Sequence, residues 1–258
     1  MAESSKRVSN PSSALGEAVG KLFESGVIDC LQNEVTARGH TIRPSRLTNG
    51  TGNTYQIDAV VYDQDEKPII IIEPKYIRYK KHNRDKASWL CTAHYNLRKT
   101  HPTIRKSIAV LGGRWSAPSK ALMSSFGVQL FEVSFDNIVN ILDKYGVAFN
   151  WPESGAGEWP RQAWNKFSLL NEFDRIKISE ELVSGIHREL IDAVAYVLDT
   201  DISTLPRRIS SVEVLMKTEQ DEIVLKTFGS VAAAIQDLTG YITDRTDIGD
   251  LPDSMHKA

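Results

Sequence analysis

The stretch "KPIIIIEPKY" (67–76) sets the tightest limit on what this chain can fold into. Four consecutive isoleucines are β-branched and apolar on both faces of a strand, so they belong inside a sheet covered on both sides. Glu73, Pro74 and Lys75 follow without a break. A covered strand has no structural use for a carboxylate beside an ammonium, because each charge costs free energy unless it is paired or put to work. Alternate side chains of a strand share a face, so Glu73 and Lys75 point the same way and Pro74 points away. Pro74 also lacks a ladder donor, which makes the strand an edge at that point or gives it a bulge.

"YQIDAVVY" (55–62) reads as a second strand, joined to the first by the acidic turn "DQDE". If that turn sets Asp58 directly across the ladder from Glu73, their Cβ atoms stand about 4.5–5.5 Å apart. Two carboxylates so close repel, and a divalent cation between them relieves the repulsion. Mg²⁺ suits such a pair, since it takes few protein carboxylates and keeps several waters. The remaining positions can accept a phosphate oxygen and a water nucleophile. Lys75 can orient or deprotonate that water, or stabilise charge developing at phosphorus.

Around these strands the pattern predicts alternating elements. Leu15, Val19, Leu22, Phe23, Val27, Leu31 and Val35 recur at helical spacing, with Ser12 or Ser13 as the cap, Gly26 as a point where the helix can break, and Gly39 as its stop. A short strand near 40–46 precedes the polar loop "LTNGTGNT". Residues 84–101 form a helix whose apolar set is Trp89, Leu90, Ala93 and Leu97. "SIAVLGG" (107–113) is a buried strand, 117–126 a helix, 128–134 a strand and 135–145 a helix. The expected class is therefore α/β, with parallel strands added to a mixed sheet.

Asp58, a gap of fourteen residues and Glu73-Pro74-Lys75, on the second and third strands of a helix-led sheet, resemble the PD-(D/E)xK nuclease superfamily. Type II restriction endonucleases and archaeal Holliday-junction resolvases are its familiar members. The resemblance covers roughly residues 13–146 and implies a restriction-endonuclease-like αβββαβ core. It implies that Asp58 and Glu73 hold Mg²⁺, that Lys75 serves catalysis, and that an acid on the first helix joins them. Glu17 and Glu24 lie seven residues apart on one helical face. Glu17 is preferred, because "LGEAVGKLFE" resembles the glycine-glutamate opening of resolvase-like members.

Charge points to the partner. The net charge is −2, yet residues 75–106 carry ten Lys or Arg against one acid, and residues from 150 onward carry 11 bases against 19 acids. Such asymmetry marks one region for a polyanion. Arg78, Lys80, Lys81, Arg84, Lys86, Arg98 and Lys99 are the expected phosphate contacts on double-stranded DNA. Asn49, Asn53 and Gln56, in and beside the loop before Asp58, could reach a groove edge, although turn residues of this kind are common without any such role.

"NWPESGAGEWPRQAW" (150–164) reads as a boundary between a nuclease core (1–149) and a mainly helical acidic region (150–258) with a hairpin near 211–228. The apolar stripe Leu182, Ile186, Leu190 and Ala193-Val194 could form the interface of a homodimer or pack on the core. Cys30 and Cys91 have neither ligand spacing nor a disulfide framework, and no apolar run approaches the length of a membrane span. A soluble, cytoplasmic protein of a prokaryotic cell, with no membrane partner, is the expectation.

Overall fold

The computed structural model describes residues 10–79, 83–151, 158–200, 208–219 and 221–243. Helix α1 (Pro11–Ala37) is one unbroken helix. Asn10, rather than Ser12 or Ser13, caps it by accepting from the Ser13 amide at 3.1 Å, and Pro11 sits in the first turn, where no N–H is needed. Leu15, Val19, Phe23, Val27, Leu31 and Val35 recur every fourth residue, and all are fully buried. A repeat of four drifts around a helix by about 40° per step, so this stripe needs cover on more than one side.

One cover is a mixed five-stranded sheet in the order β1 (Thr41–Thr48), β2 (Thr54–Tyr62), β3 (Pro68–Ile77), β4 (Lys106–Gly113) and β5 (Val128–Ser134). The first three strands are antiparallel and the last three parallel. Helices α2 (Asn83–Thr100) and α3 (Ala117–Ser125) make the two parallel connections and α4 (Phe135–Lys144) follows β5, so the chain is α/β as expected. The isoleucines divide by face: Ile70 and Ile72 pack with α1, while Ile71 joins Ala93 and Leu97 of α2. Gly113 ends β4 at φ +94°, where a Cβ would lie 2.0 Å from the Ile77 carbonyl, so only glycine fits there.

The second cover of α1 is α5 (Trp159–Ser168), α6 (Glu172–Ser184) and α7 (His187–Asp199). Gly26 does not break α1. It lets α6 approach, because a Cβ at Gly26 would stand 2.4 Å from the Ser179 carbonyl oxygen, and Ser179 Oγ donates to the Leu22 carbonyl at 2.7 Å. Leu182, Ile186, Leu190 and Val194 are buried in this chain's own core, so the stripe offered as a dimer interface is not free to serve as one. The described residues up to Thr200 form one compact unit, which moves the division well beyond the boundary that composition suggests near residue 150. The Pro- and Trp-rich stretch misleads because Phe149, Trp151 and Phe167 are core residues of that unit.

A second unit holds the hairpin β6 (Val212–Lys217) and β7 (Ile223–Phe228) with α8 (Val231–Thr243) packed on it. Its strands alternate strictly, and Leu215, Ile223 and Leu225 line the exposed face.

Candidate functional site

The site begins where strand pairing fails. The β2–β3 ladder runs as far as Ala59 opposite Ile72, and the same register carried one step further sets Asp58 opposite Glu73. β3 continues against β4 without a shift to Ile77, so beyond Ile72 it is held on the β4 side alone. Pro74, which has no N–H to give, falls in this half-free segment, the edge that its sequence demands. No register shift falls at Pro74; β3 has one earlier, at Ile69, and the one beside the opening lies in β2. Arg43 pairs with Val60 and Ser45 with Ile57, so Asp58 and Ala59 together face Pro44. A bulge re-aims a side chain, here the carboxylate of Asp58.

Asp58, Glu73 and Lys75 meet in that opening. Lys75 Nζ is 2.5 Å from Asp58 Oδ2 and 2.5 Å from Glu73 Oε2. The side chains are 18 %, 6 % and 29 % exposed respectively, which leaves the cluster partly desolvated but reachable. Burial, then a hydrogen bond shared with Asp58, pushes the Glu73 carboxyl up to about 8, against the smaller pull of Lys75. Burial works against the Lys75 charge, but the two carboxylates outweigh it and hold the ammonium above its usual range. At neutral pH Lys75 is therefore a cation.

From α1, Glu24 faces this cluster. Its half-buried carboxyl is raised by burial and by the charge of Asp58, with Lys75 and Lys21 opposing. Glu17, the acid preferred from sequence, is exposed two turns earlier and pairs with Lys21 at 2.9 Å, whereas Glu24 is the one that feels the charges of Asp58 and Lys75. Behind the cluster lies His94 of α2, about 1 % exposed. Burial drives its ring down to about 3, and Lys75 and Arg98 add to that, so it is neutral. Asn83 holds the start of α2 beside β4 by donating to the Arg114 carbonyl at 2.9 Å and accepting from the Ser116 amide at 2.9 Å. Trp115 donates to the Lys75 carbonyl at 3.3 Å and steadies the strand that carries the lysine.

The expected phosphate contacts are scattered. Arg84, Lys86, Arg98 and Lys99 are exposed on α2. Lys86 comes nearest the cluster: its Nζ lies 3.5 Å from the Tyr76 carbonyl, and its ammonium is lowered by burial and by Lys75. Arg98 turns back to the Phe126 carbonyl at 3.3 Å. Arg78 is buried, its guanidinium 3.8 Å from the Trp151 ring centre and 4.3 Å from that of Phe149, and it donates to the Trp151 carbonyl at 3.2 Å. It is a core cation, not a phosphate contact. Lys80 and Lys81 lie outside the described residues. Asn53 donates to Thr51 and Gln56 accepts from Arg46, while Asn49 closes the loop by accepting from Thr51 and Asn53.

No family model and no curated protein matches this chain. A solved structure described as a protein of unknown function, AF1548, aligns at 14 % identity over 69 % of this chain and 98 % of that one, with a TM-score of 0.32.

A cation would find carboxylates here but no ready-made cage. Among the described residues no three His, Cys, Asp or Glu side chains are gathered to grip a metal. Asp58 and Glu73 would hold it as a pair, with water completing the shell, which is the habit of Mg²⁺. Burial and the neighbouring Asp58 favour a proton on Glu73 and on Glu24, and a cation at Asp58 and Glu73 would take the place of that proton. That donor set fits a divalent cation. A groove of about 610 Å³ between α1 and α6 is lined by Asp29, Cys30, Arg175 and His187 and by none of the clustered residues. No helix among the described residues is long and apolar enough to cross a membrane.

Proposed function

We propose that this protein is a Mg²⁺-dependent endodeoxyribonuclease with Asp58, Glu73, Lys75 and Glu24 at its centre. The observation that supports this best is the convergence of Lys75 Nζ on two carboxylates, each at 2.5 Å, where two strands part. Simple structural pairing would need one acid; a second beside it raises the electrostatic cost without holding the fold. Together with the resemblance of Asp58 and Glu73-Pro74-Lys75 to the PD-(D/E)xK pattern, this favours phosphodiester hydrolysis.

Asp58 and Glu73 hold Mg²⁺, which when bound supplies Lewis-acid activation of a phosphate oxygen and of water. Lys75, protonated at neutral pH, acts as an electrophile that offsets charge growing on the phosphate oxygens, rather than as a base. Glu24 orients the attacking water. Lys86 neutralises a neighbouring phosphate. The open, splayed site suits a polymer threaded past it more than a small molecule enclosed by it.

Two modes of target choice follow. A restriction-type enzyme needs free side chains at a groove, whereas Asn53 and Gln56 are engaged within their own strands and loop. That observation favours the second mode, recognition of DNA structure. Two copies related by a two-fold axis would bring one centre to each strand, through a surface other than the buried Leu182–Val194 stripe; light scattering reads that state. Incubating the purified protein with methylation-free plasmid and with branched DNA in Mg²⁺, then mapping the ends, tests both readings. No cleavage of any DNA with Mg²⁺ or Mn²⁺ sinks the proposal.

A further inference from the structure

Helix α2 carries an aromatic side chain that the fold does not use. Trp89 is 65 % exposed, although its spacing counts it among the apolar residues of the helix. Tyr55 covers part of it, with ring centres 5.8 Å apart and planes tilted by 53°, and the rest of the indole faces solvent. A single exposed ring is ordinary on a protein surface, so its neighbours decide whether this one has a use.

Its position is defined from two directions. Lys86, one helical turn earlier on the same ridge, reaches the Tyr76 carbonyl next to Lys75. Tyr55, which backs the indole, lies on β2 three residues before Asp58. Asn96, two turns later on that ridge, donates to the Tyr55 hydroxyl at 3.3 Å and fixes the tyrosine in place. A flat apolar ring thus stands between a lysine beside the candidate centre and the strand that delivers Asp58. Lys86 and Lys99 on the exposed side of α2 complement a phosphate chain. Protein surfaces that bind single strands combine these features: cations for the backbone, and an aromatic face on which any base can stack.

We propose that Trp89 is a stacking platform for an unpaired DNA base beside the scissile phosphate, so that the substrate is DNA with a single-stranded segment, such as a tail, flap or branch. This rests on the nuclease reading for the position of the phosphate, but the stacking itself can be measured without any cleavage. An intact duplex keeps its bases stacked on one another and offers none to the indole. The cost of parting strands is absent where they are already single, which makes the tail the preferred target.

The test is binding of full-length protein, without divalent metal, to an intact duplex and to the same duplex with a single-stranded tail carrying 2-aminopurine. Tighter binding of the tailed DNA, with 2-aminopurine quenched on binding, is expected. Trp89→Ala should lose about 5- to 150-fold in affinity for the tail, the range for one base on one aromatic ring, and keep its duplex affinity and salt dependence. Trp89→Phe should restore most of the loss. Circular dichroism and melting should be unchanged, since the ring is mostly outside the core. No preference for the tail in the wild type, or a preference that Trp89→Ala retains, overturns the inference. Trp89-dependent binding without cleavage in Mg²⁺ would leave it standing and remove the nuclease reading. Cleavage in Mg²⁺ by a wild type that binds tailed and intact DNA equally, with or without Trp89, would do the reverse.

Discussion

The ammonium of Lys75 bridges to Asp58 across two strands that have ceased to pair with each other, at 2.5 Å from its Oδ2. Neither carboxylate of the cluster is needed to close a ladder, so their removal should spare the fold and remove the chemistry. Asp58→Ala and Glu73→Ala are expected to abolish cleavage while DNA binding stays within a few fold of wild type. Lys75→Ala should slow cleavage by roughly 10²–10⁴-fold, the usual worth of a positioned group at a reacting centre. Nicking rates on plasmid check all three; any variant that cuts at the wild-type rate refutes its assigned role.

Glu73 makes stability depend on pH in an unusual direction. Its carboxyl is about 8 in the folded protein against a usual value of 4.5, so between those values the folded state holds a proton that the unfolded state has lost. Stability should therefore be greatest below 4.5 as far as this group is concerned, and should fall as pH rises toward 8. Thermal melts of the metal-free protein, wild type against Glu73→Gln, isolate the effect, because the amide cannot ionise. The difference between the two should shift steadily in favour of the variant across that window. Mg²⁺ should recover part of the wild-type loss at pH 8 and release protons as it binds. A difference that does not vary with pH contradicts the raised carboxyl.

Gly26→Ala pits two effects against each other. Alanine is the better helix former by about 1 kcal/mol. Its Cβ would stand 2.4 Å from a backbone oxygen of α6, which can move aside only with its helix. Overpacking of this kind costs about 1–3 kcal/mol, so the clash should win and urea unfolding should shift to lower concentration. A stabilised variant would mean that α6 does not press on α1.

Arg78 and Lys86, both counted as DNA contacts from sequence, should part company on mutation. Arg78→Ala removes a cation seated among Phe149, Trp151 and Phe135, and should destabilise by about 2 kcal/mol or more. It should leave the salt dependence of DNA binding as it was. Lys86→Ala should do the opposite, lowering the slope of log K against log salt by about 0.9 with little change in melting. Equal slopes for wild type and Lys86→Ala would remove Lys86 from the interface.

What could be read in advance was local. The strand period set Glu73 and Lys75 on one side, and the short interval between Tyr62 and Pro68 paired the two strands, whereas the extra residue Ile69, which shifts the register so that Asp58 comes level with Glu73, could not be read from the turn. What could not be read depends on which neighbours arrive. Glu17 and Glu24 share a helical face, and periodicity cannot say which turn the sheet opening will abut. Arg78 carries the same charge as Lys86, and only the aromatic rings from 135–151 distinguish a core cation from a surface one. Trp89 has the spacing of a core residue, yet Tyr55 covers part of its ring and the greater part stays exposed. The bulge at Asp58 comes from Pro44 on a third strand, which no reading of two strands contains.

The double cover of α1 also orders events during synthesis. The first helix is made early, its sheet is complete once β5 has emerged, and α5–α7 come last within the unit. Until they do, part of the winding apolar stripe from Leu15 to Val35 has nothing against it. At synthesis rates of roughly 5–20 residues per second the wait is about 3–13 seconds. During that interval the nascent chain presents Val27, Leu31 and their neighbours to whatever chaperone stands at the tunnel exit. A message truncated after residue 150 would leave them uncovered for good, and its product should be found in the aggregated fraction, however intact its five strands and its acidic cluster.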